Sequence, residues 1–400
     1  MQSAAVGAVR HSLRLLIGAA CVLALAAGVV RTAAAVSTDS ARGADAQDAL
    51  RAAAELVQQG RLDEADRQAR LALDNPETRA VACSVMGTIR LQQQRVDESA
   101  AFLREAIRLD PKLLGAHINL AQIYILQNNP SRALDTYDAA LRINAELLPA
   151  LRQAAGIAEQ QGEFERSLSY WMRARKLAAD DPEVLLGFGR VCLKMDLLED
   201  AEPALTRAAG LKPDDPSYQY TLAAAKVGKR QFEAAQALLE PLVKRQPGDA
   251  QLQYALGSVL YIQGRLAEAA ARLQESVRLQ PEQLASNHYL ALIARDQGRD
   301  ADAIVMLEAL IKRYPQHVPS AEALGSLLMT AQRYDEAERY LREAVRLSPQ
   351  SVKANYQLGL LLARMGRKAD ADKQLALAKS LRQEDESNAR LQLRLLEHEP

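Results

Sequence analysis

Along most of the chain, apolar residues recur at helical spacing in stretches of about a dozen residues, and turn-forming residues separate the stretches. A second, longer period lies over the first. Residues 46–385 divide into ten blocks of 34 with no insertion, starting at Ala46, Ala80, Leu114, Leu148, Pro182, Pro216, Ala250, Leu284, Val318 and Val352. The eighth column of the blocks holds only Ala or Gly, from Ala53 and Gly87 to Gly325 and Gly359. The twentieth holds only Ala or Ser, from Ala65 and Ser99 to Ala337 and Ala371.

The punctuation within a block predicts two helices. Gly60, Gly162, Gly264, Gly298 and Gly366 occupy column fifteen, where a left-handed turn ends the first helix. Pro111, Pro213, Pro247, Pro281, Pro315 and Pro349 occupy column thirty-two, where the second must stop. Larger apolar side chains such as Leu256 and Leu273 fill columns seven and twenty-four. The expectation is a hairpin whose small residues let its helices approach, while the large ones fill the gap to the next hairpin. One hairpin cannot bury its apolar face alone, so the blocks must stack.

The unit of 34 residues, with Gly or Ala at eight, Ala at twenty, Ala at twenty-seven (Ala72, Ala106, Ala140, Ala174) and Pro at thirty-two, resembles the tetratricopeptide repeat. The segment 256–281 follows that family's pattern throughout. The resemblance covers 340 of the 400 residues and implies an all-α fold, a right-handed α-α superhelix built as a solenoid of helical hairpins. Column four departs from it: Trp is frequent there in the family, and here stand Cys83, His117, Leu151, Gln219 and Asn287. Block one has Pro76 a position early, and the last block ends in Gln383 instead of Pro.

Outside the blocks, residues 1–35 carry no acidic side chain. Arg10, His11 and Arg14 precede sixteen mostly apolar residues, Leu15 to Val30, and Ala33-Ala34-Ala35 follows, the layout of a secretory signal peptide. The run is shorter than the ~20 residues that span a bilayer, which favours cleavage after Ala35 and export to a bacterial periplasm. The alternative is an uncleaved inner-membrane anchor lengthened by Thr32 to Val36, facing the periplasm; membrane contact is expected only through this segment. Residues 36–45 are small and polar and read as a linker. Residues 386–400 read as a capping helix and tail. Leu391 and Leu395 form a stripe there that either closes the stack or meets a partner.

Composition supports this picture. Aromatics are 4% of the chain against 73 Ala, which argues against a large sheet. Fifty basic and fifty acidic residues cancel, so the footprint of a nucleic-acid binder is missing. None of the five His residues has a partner at i,i+4, and no HExxH, CxxC or GxSxG occurs. Gly187-Phe188-Gly189 lacks the third glycine of a dinucleotide loop. Asp180-Asp181 and Asp214-Asp215 fall at block ends, where N-terminal helix charge and turn chemistry explain them. Cys83 and Cys192 sit in non-adjacent blocks, too far apart for a disulfide. The expectation is a non-catalytic protein without metal or cofactor, a scaffold for protein partners in an envelope assembly or secretion machine. If the anchor is retained, it instead presents the solenoid to a catalytic partner complex.

The family resemblance implies that the first helix of each block lines a concave groove, with columns two, five, nine, twelve and thirteen pointing into it. Carried onto this chain, those columns place Tyr220, Tyr254, Tyr261, His288 and Tyr356 as a candidate peptide-binding face, since rings with polar tips suit an extended or helical peptide. A second, apolar candidate comprises Leu91, Ile118, Ile125 and Leu126. In each case the side chains either meet a ligand or pack between neighbouring hairpins. The Lys and Asn of a carboxylate clamp are missing from columns five and nine.

Overall fold

Within each unit, a left-handed residue at column fifteen turns the block into a hairpin. In the computed structural model, which describes residues 40–396 and the side chains of 44–383, all ten column-fifteen residues have positive φ. Five are the glycines expected, at φ 74 to 78°. The others are Gln94, Asn128, Asp196, Arg230 and Gln332, at φ 55 to 63°. The position thus demands the αL conformation even where a side chain makes it costly.

The described residues form twenty helices and no strand, in two units. Unit 1, ending at Met195, holds α1 (Ser40–Gln58), α2 (Leu62–Leu71), α3 (Arg79–Gln92), α4 (Val96–Leu109), α5 (Leu114–Leu126), α6 (Pro130–Ile143), α7 (Leu148–Gln160), α8 (Phe164–Leu177) and α9 (Pro182–Lys194). Unit 2, from Asp196, holds α10 (Leu198–Leu211), α11 (Pro216–Gly228), α12 (Phe232–Arg245), α13 (Ala250–Ile262), α14 (Leu266–Leu279), α15 (Leu284–Asp296), α16 (Asp300–Arg313), α17 (Val318–Thr330), α18 (Tyr334–Leu347), α19 (Val352–Arg364) and α20 (Lys368–Leu396). Each unit is a stack of antiparallel hairpins, the all-α solenoid that the repeat requires.

Column eight sets how closely the two helices of a hairpin approach. A Cβ on Gly87, Gly257, Gly325 or Gly359 would lie 2.6–2.7 Å from Cγ of Leu103, Leu273, Leu341 or Leu375, the column-twenty-four leucine of the same block. These leucines therefore fill their own hairpin, and Leu273 and Leu341 also share a core with the first helix of the next block. Where column twenty-four holds Trp171, the larger ring reaches instead to the first helix of the following block, where a Cβ on Gly187 would lie 2.2 Å from its Cζ2. That explains Gly187: it makes room for the indole. Column twenty adds a hydrogen bond where it is Ser, with Ser99 donating to the Gly87 carbonyl (2.6 Å) and Ser167 to that of Ala155 (2.8 Å).

Column four joins consecutive blocks. His117 bonds through Nε2 to the carbonyl of Pro111 (2.9 Å), and Gln253 and Asn355 donate to those of Pro247 and Pro349 (each 2.9 Å). Asn287 donates to the Pro281 carbonyl at 3.2 Å. Four of the six prolines that stop a second helix thus have their carbonyl held by the next block's first helix, while after Pro213 the column-four Gln219 donates to the Ala209 carbonyl instead. Asp181, Asp215 and Asp249 cap α9, α11 and α13 by accepting from backbone N–H groups at 2.8–2.9 Å.

Curvature follows from which helices touch. In both units, first helices of successive blocks pack on one another, as in α1–α3, α3–α5, α13–α15 and α17–α19. The second helices pack against the first helices on either side. Helices that approach more closely line the inner side of a bend, so the first-helix face is the concave one within each unit.

The ends differ from the expected boundaries. α1 begins at Ser40, so residues 40–45, read as linker, are helical. α2 has 10 residues against 14 in the other second helices up to α18, and Thr78 closes the loop after it by donating to the Ala72 carbonyl at 2.8 Å. α20 runs for 29 residues in one helix, as the missing terminal proline allows. Among the described residues no helix is long and apolar enough to cross a membrane. The segment 1–35 read as signal or anchor, and the side chains of Leu391 and Leu395, lie outside the described ones.

Candidate functional site

Three rings gather on the inner face of unit 2. Tyr254 and Tyr261 are seven residues apart on α13 and so share one face of it. Tyr289 on α15 stands against both, its centroid 6.0 Å from Tyr254 and 5.2 Å from Tyr261 in an edge-on arrangement. Edge-to-face pairs at this distance are attractive beyond the area they bury. His288 continues the cluster, 6.0 Å from Tyr289, and meets His317, the last residue of the same block, at 5.3 Å. Tyr220, on α11, packs against the same apolar core as Tyr254, and its hydroxyl accepts from Gln251 at 2.9 Å. Tyr356 lies apart on α19, 51% exposed.

The polar tips divide into two kinds. The Tyr261 hydroxyl donates to Asp296 (2.6 Å) and accepts from Arg295 (3.2 Å), which also pairs with Asp296 at 2.8 Å. Burial opposes the charge on Asp296, yet the hydrogen bonds from Arg295 and Tyr261 hold its carboxyl below the usual range. The hydroxyls of Tyr254 and Tyr289, by contrast, have no hydrogen-bond partner among the described residues. Burial pushes Tyr254 up to about 12, and burial together with Asp296 does the same for Tyr261. Burial raises Tyr289 as well. All three therefore keep their O–H groups as donors at neutral pH.

His288 is held differently from a groove residue. Its Nδ1 lies 3.0 Å from the hydroxyl of Ser320 on α17, and Nδ1 of His317 lies 2.7 Å from the same oxygen. Burial, and then the charges of His317, Lys353 and Arg295, lower His288 to about 4. Burial lowers His317 too.

Tyr289, His317 and Ser320 escape the column rule. Tyr289 falls in column six, and it reaches the cluster because it lies one repeat and one residue beyond Tyr254, on the adjoining inner helix. The adjacent aromatics His288-Tyr289 in one first helix are the signal that points to it.

The apolar candidate in unit 1 is more closed. Leu91 is only 6% exposed and belongs to the core, while Ile118 and Ile125 are half-buried; Leu126, at 39%, offers open surface. Farther along the same unit the inner face is charged and self-paired. Arg152 pairs with Asp181 (3.5 Å) and Glu183, and Arg190 forms a two-pronged bond to Glu159 at 2.8 and 2.6 Å.

A concavity of about 260 Å³ lies between α12, α13 and α14, lined by Glu240, Val243, Lys244, Pro247, Gln253, Leu256 and Arg272 and by none of the tyrosines. The buried Gln253 Oε1 has no partner there. In block ten the equivalent Asn355 carbonyl accepts from Gln374, whose column in block seven holds Arg272. Among the described residues no three His, Cys, Asp or Glu side chains converge as metal ligands, and Cys83 and Cys192 are buried and not joined in a disulfide, with burial raising Cys83.

Comparison with known proteins agrees with the hairpin geometry. A family model of the tetratricopeptide repeat matches residues 153–216, 220–283, 263–318, 288–352 and 322–389, and a second model of the same repeat matches 90–156. No curated protein matches the chain. Among solved structures, it is similar to YrrB, described as a TPR protein with an unusual peptide-binding site (20% identity over 47% of this chain and 96% of that one, TM-score 0.41). Pseudomonas aeruginosa pilF is similar at 20% identity over 54% and 98% of the two chains, with TM-score 0.43. A tetratricopeptide repeat protein from Parabacteroides merdae shares 17% over 62% and 98%, with TM-score 0.41. With family models matching well over half of its length, the chain belongs to the tetratricopeptide repeat family.

Proposed function

We propose that this protein is a non-catalytic scaffold that holds segments of other proteins against its inner helical face, and that Tyr254, Tyr261 and Tyr289 form the principal contact surface. The observation that carries this reading is the pair of unpartnered, half-buried hydroxyls of Tyr254 and Tyr289 within a ring cluster. A peptide laid across α13 and α15 gains ring contact and finds two donors waiting for its carbonyl oxygens. Tyr220, next along the face, and the exposed Leu126 in unit 1 extend the candidate surface.

The test uses a defined probe. Peptides selected from a random display library on the full chain are measured by fluorescence anisotropy against the wild type and a Tyr254→Ala/Tyr289→Ala variant of unchanged helical circular dichroism. The reading expects at least a tenfold loss of affinity; equal binding by both proteins would remove the tyrosines from the site.

The place of action we propose is the bacterial cell envelope, reached by export through the segment 1–35, whose basic lead, sixteen-residue apolar run and Ala33-Ala34-Ala35 support it. The partners would then belong to an envelope assembly or secretion machine. The other reading keeps the segment as an anchor that presents the repeats to a catalytic complex, and the possible extension through Val36 supports it. The mass of the mature N-terminus separates them: loss of 1–35 goes with export, retention with anchoring.

A further inference from the structure

Two histidines of block eight meet over a single hydroxyl of block nine in unit 2. His288 comes from the first helix of block eight, and His317 ends that block at the N-cap position of α17, the first helix of block nine, where Ser320 lies. Ser320 Oγ receives both Nδ1 atoms, at 3.0 and 2.7 Å. A serine hydroxyl has one proton, so with both rings neutral the simplest arrangement has one Nδ1–H donating to Oγ while Oγ–H donates to the other, bare Nδ1. The two imidazoles then hold opposite tautomers, and the serine bridges α15 to α17.

We propose that this His288–Ser320–His317 cluster is an acid-operated latch between blocks eight and nine. It is closed while the rings are neutral and driven open when both are protonated. The first proton is accommodated by the ring whose Nε2 is free, which leaves the bridge intact. The second lands on the bare Nδ1, which turns the serine proton out of the bridge and sets two imidazolium rings 5.3 Å apart.

The surroundings offer this charge no relief. Lys353 on α19 and Arg295 on α15 add positive charge, and no group of α14 or α16 figures among the charges acting on His288. From α13 come only Tyr254 and Tyr261, neutral at these pH values. The carboxylates on the two bridged helices are already engaged. Glu322 pairs with Lys353 at 3.1 Å and accepts from Ser351 at 2.8 Å, and Asp296 is taken by Arg295 and Tyr261. Tyr289, edge-on to His288, is the hub of the ring cluster, so opening the latch disturbs that surface whatever its occupant.

The experiment is hydrogen exchange with mass spectrometry on the full chain at pH 7.0 and 4.5, with rates corrected for the intrinsic pH dependence. It runs beside an NMR titration of ring-labelled histidine. The latch predicts that residues 284–296 and 317–330 lose protection at least tenfold more than the other hairpins of unit 2, and that two histidine signals titrate well below 6.5. His288→Asn/His317→Asn places amides near the Nδ1 positions and should abolish the selective loss. Uniform loss over all hairpins, a selective loss that survives in the double variant, or two ordinary independent titrations near 6.5 would each overturn the proposal. The titration needs only wild-type protein, so it decides the matter even if the double variant does not fold.

Discussion

Columns five, nine and twelve of the inner helices carry Arg152, Arg190 and Glu159 in unit 1, whereas columns five and twelve carry Tyr254, His288 and Tyr261 in neighbouring blocks of unit 2. The backbone beneath them is the same hairpin with the same αL turn. On the inner face of unit 1, Arg152 and Arg190 have each found acidic partners on the neighbouring inner helix. Partly exposed pairs of this kind are worth at most about 1 kcal/mol, and their bonding capacity is largely spent. In unit 2 the rings pack on one another but leave two hydroxyls unspent. The comparison teaches that the columns which build the repeat are separate from those that give it a surface chemistry, so two faces of one architecture need share no binding property.

The largest expected effect tests the building columns. Gly187→Ala places a methyl group 2.2–2.5 Å from three atoms of the Trp171 ring, a flat and rigid neighbour with no flexible end to turn aside. Overpacking of this severity should destabilise unit 1 by about 3 kcal/mol. Gly257→Ala in unit 2 meets Leu273 at 2.7 Å, where the side chain can rotate away, and should cost about 1 kcal/mol. Trp171 is the only tryptophan, so its fluorescence in urea follows unit 1 alone. A Gly187→Ala midpoint equal to that of the wild type would show that the indole does not depend on the gap, and Trp171→Leu in the same chain, which removes the fluorophore and is followed by circular dichroism in urea, should restore most of the loss.

Next in size is acid. His288 sits near 4 when folded and near 6.5 when unfolded, so as pH falls the unfolded chain binds its proton first. Stability from this group is present above about 6.5 and is lost progressively down to about 4. With a discount for its partial exposure, the loss is about 2 kcal/mol. Thermal melts at pH 7.0, 5.5 and 4.5 should fall less steeply in His288→Asn than in the wild type; parallel curves would mean that the buried ring does not contribute.

The contrast between the faces themselves gives a smaller effect. Tyr254→Ala/Tyr289→Ala should weaken a selected peptide at least tenfold, about 1.4 kcal/mol, whereas Arg152→Ala/Arg190→Ala in unit 1 should leave its affinity within twofold. If the arginine variant is the one that loses binding, the ligand lies on the self-paired face and the functional reading moves to unit 1.

What could be read in the sequence divides along the same line. The hairpins were legible because columns eight, fifteen, twenty and thirty-two act through size and backbone conformation, and these are properties of single residues. The ring cluster was legible only in part. Tyr254 and Tyr261 follow from helical spacing on one helix, but the place of Tyr289 depends on how far α15 is shifted and rotated against α13, which no single column records. Gly187 was opaque for a similar reason: its cause, Trp171, lies in the preceding block. For Leu91 the column left groove and core both open, and the side chain is in the core, 6% exposed.

The smallest effect concerns the turn that both units share. Gln94, Arg230 and Gln332 hold φ of 58 to 63°, a region in which a Cβ crowds the following carbonyl, while Gly264 and Gly298 occupy the same column without that cost. Replacing Gln332 or Arg230 with glycine should relieve the crowding. The gain is reduced by the greater freedom of glycine in the unfolded chain, which leaves about 0.5–1 kcal/mol. Asn128→Gly should gain less, because an asparagine side chain tolerates the left-handed region through local hydrogen bonds. The order of urea midpoints is therefore the measurement, with Gln332→Gly and Arg230→Gly above wild type and Asn128→Gly close to it. If all three midpoints fall, the side chains at column fifteen stabilise the turn through contacts that outweigh its strain, and glycine is not the residue this position prefers.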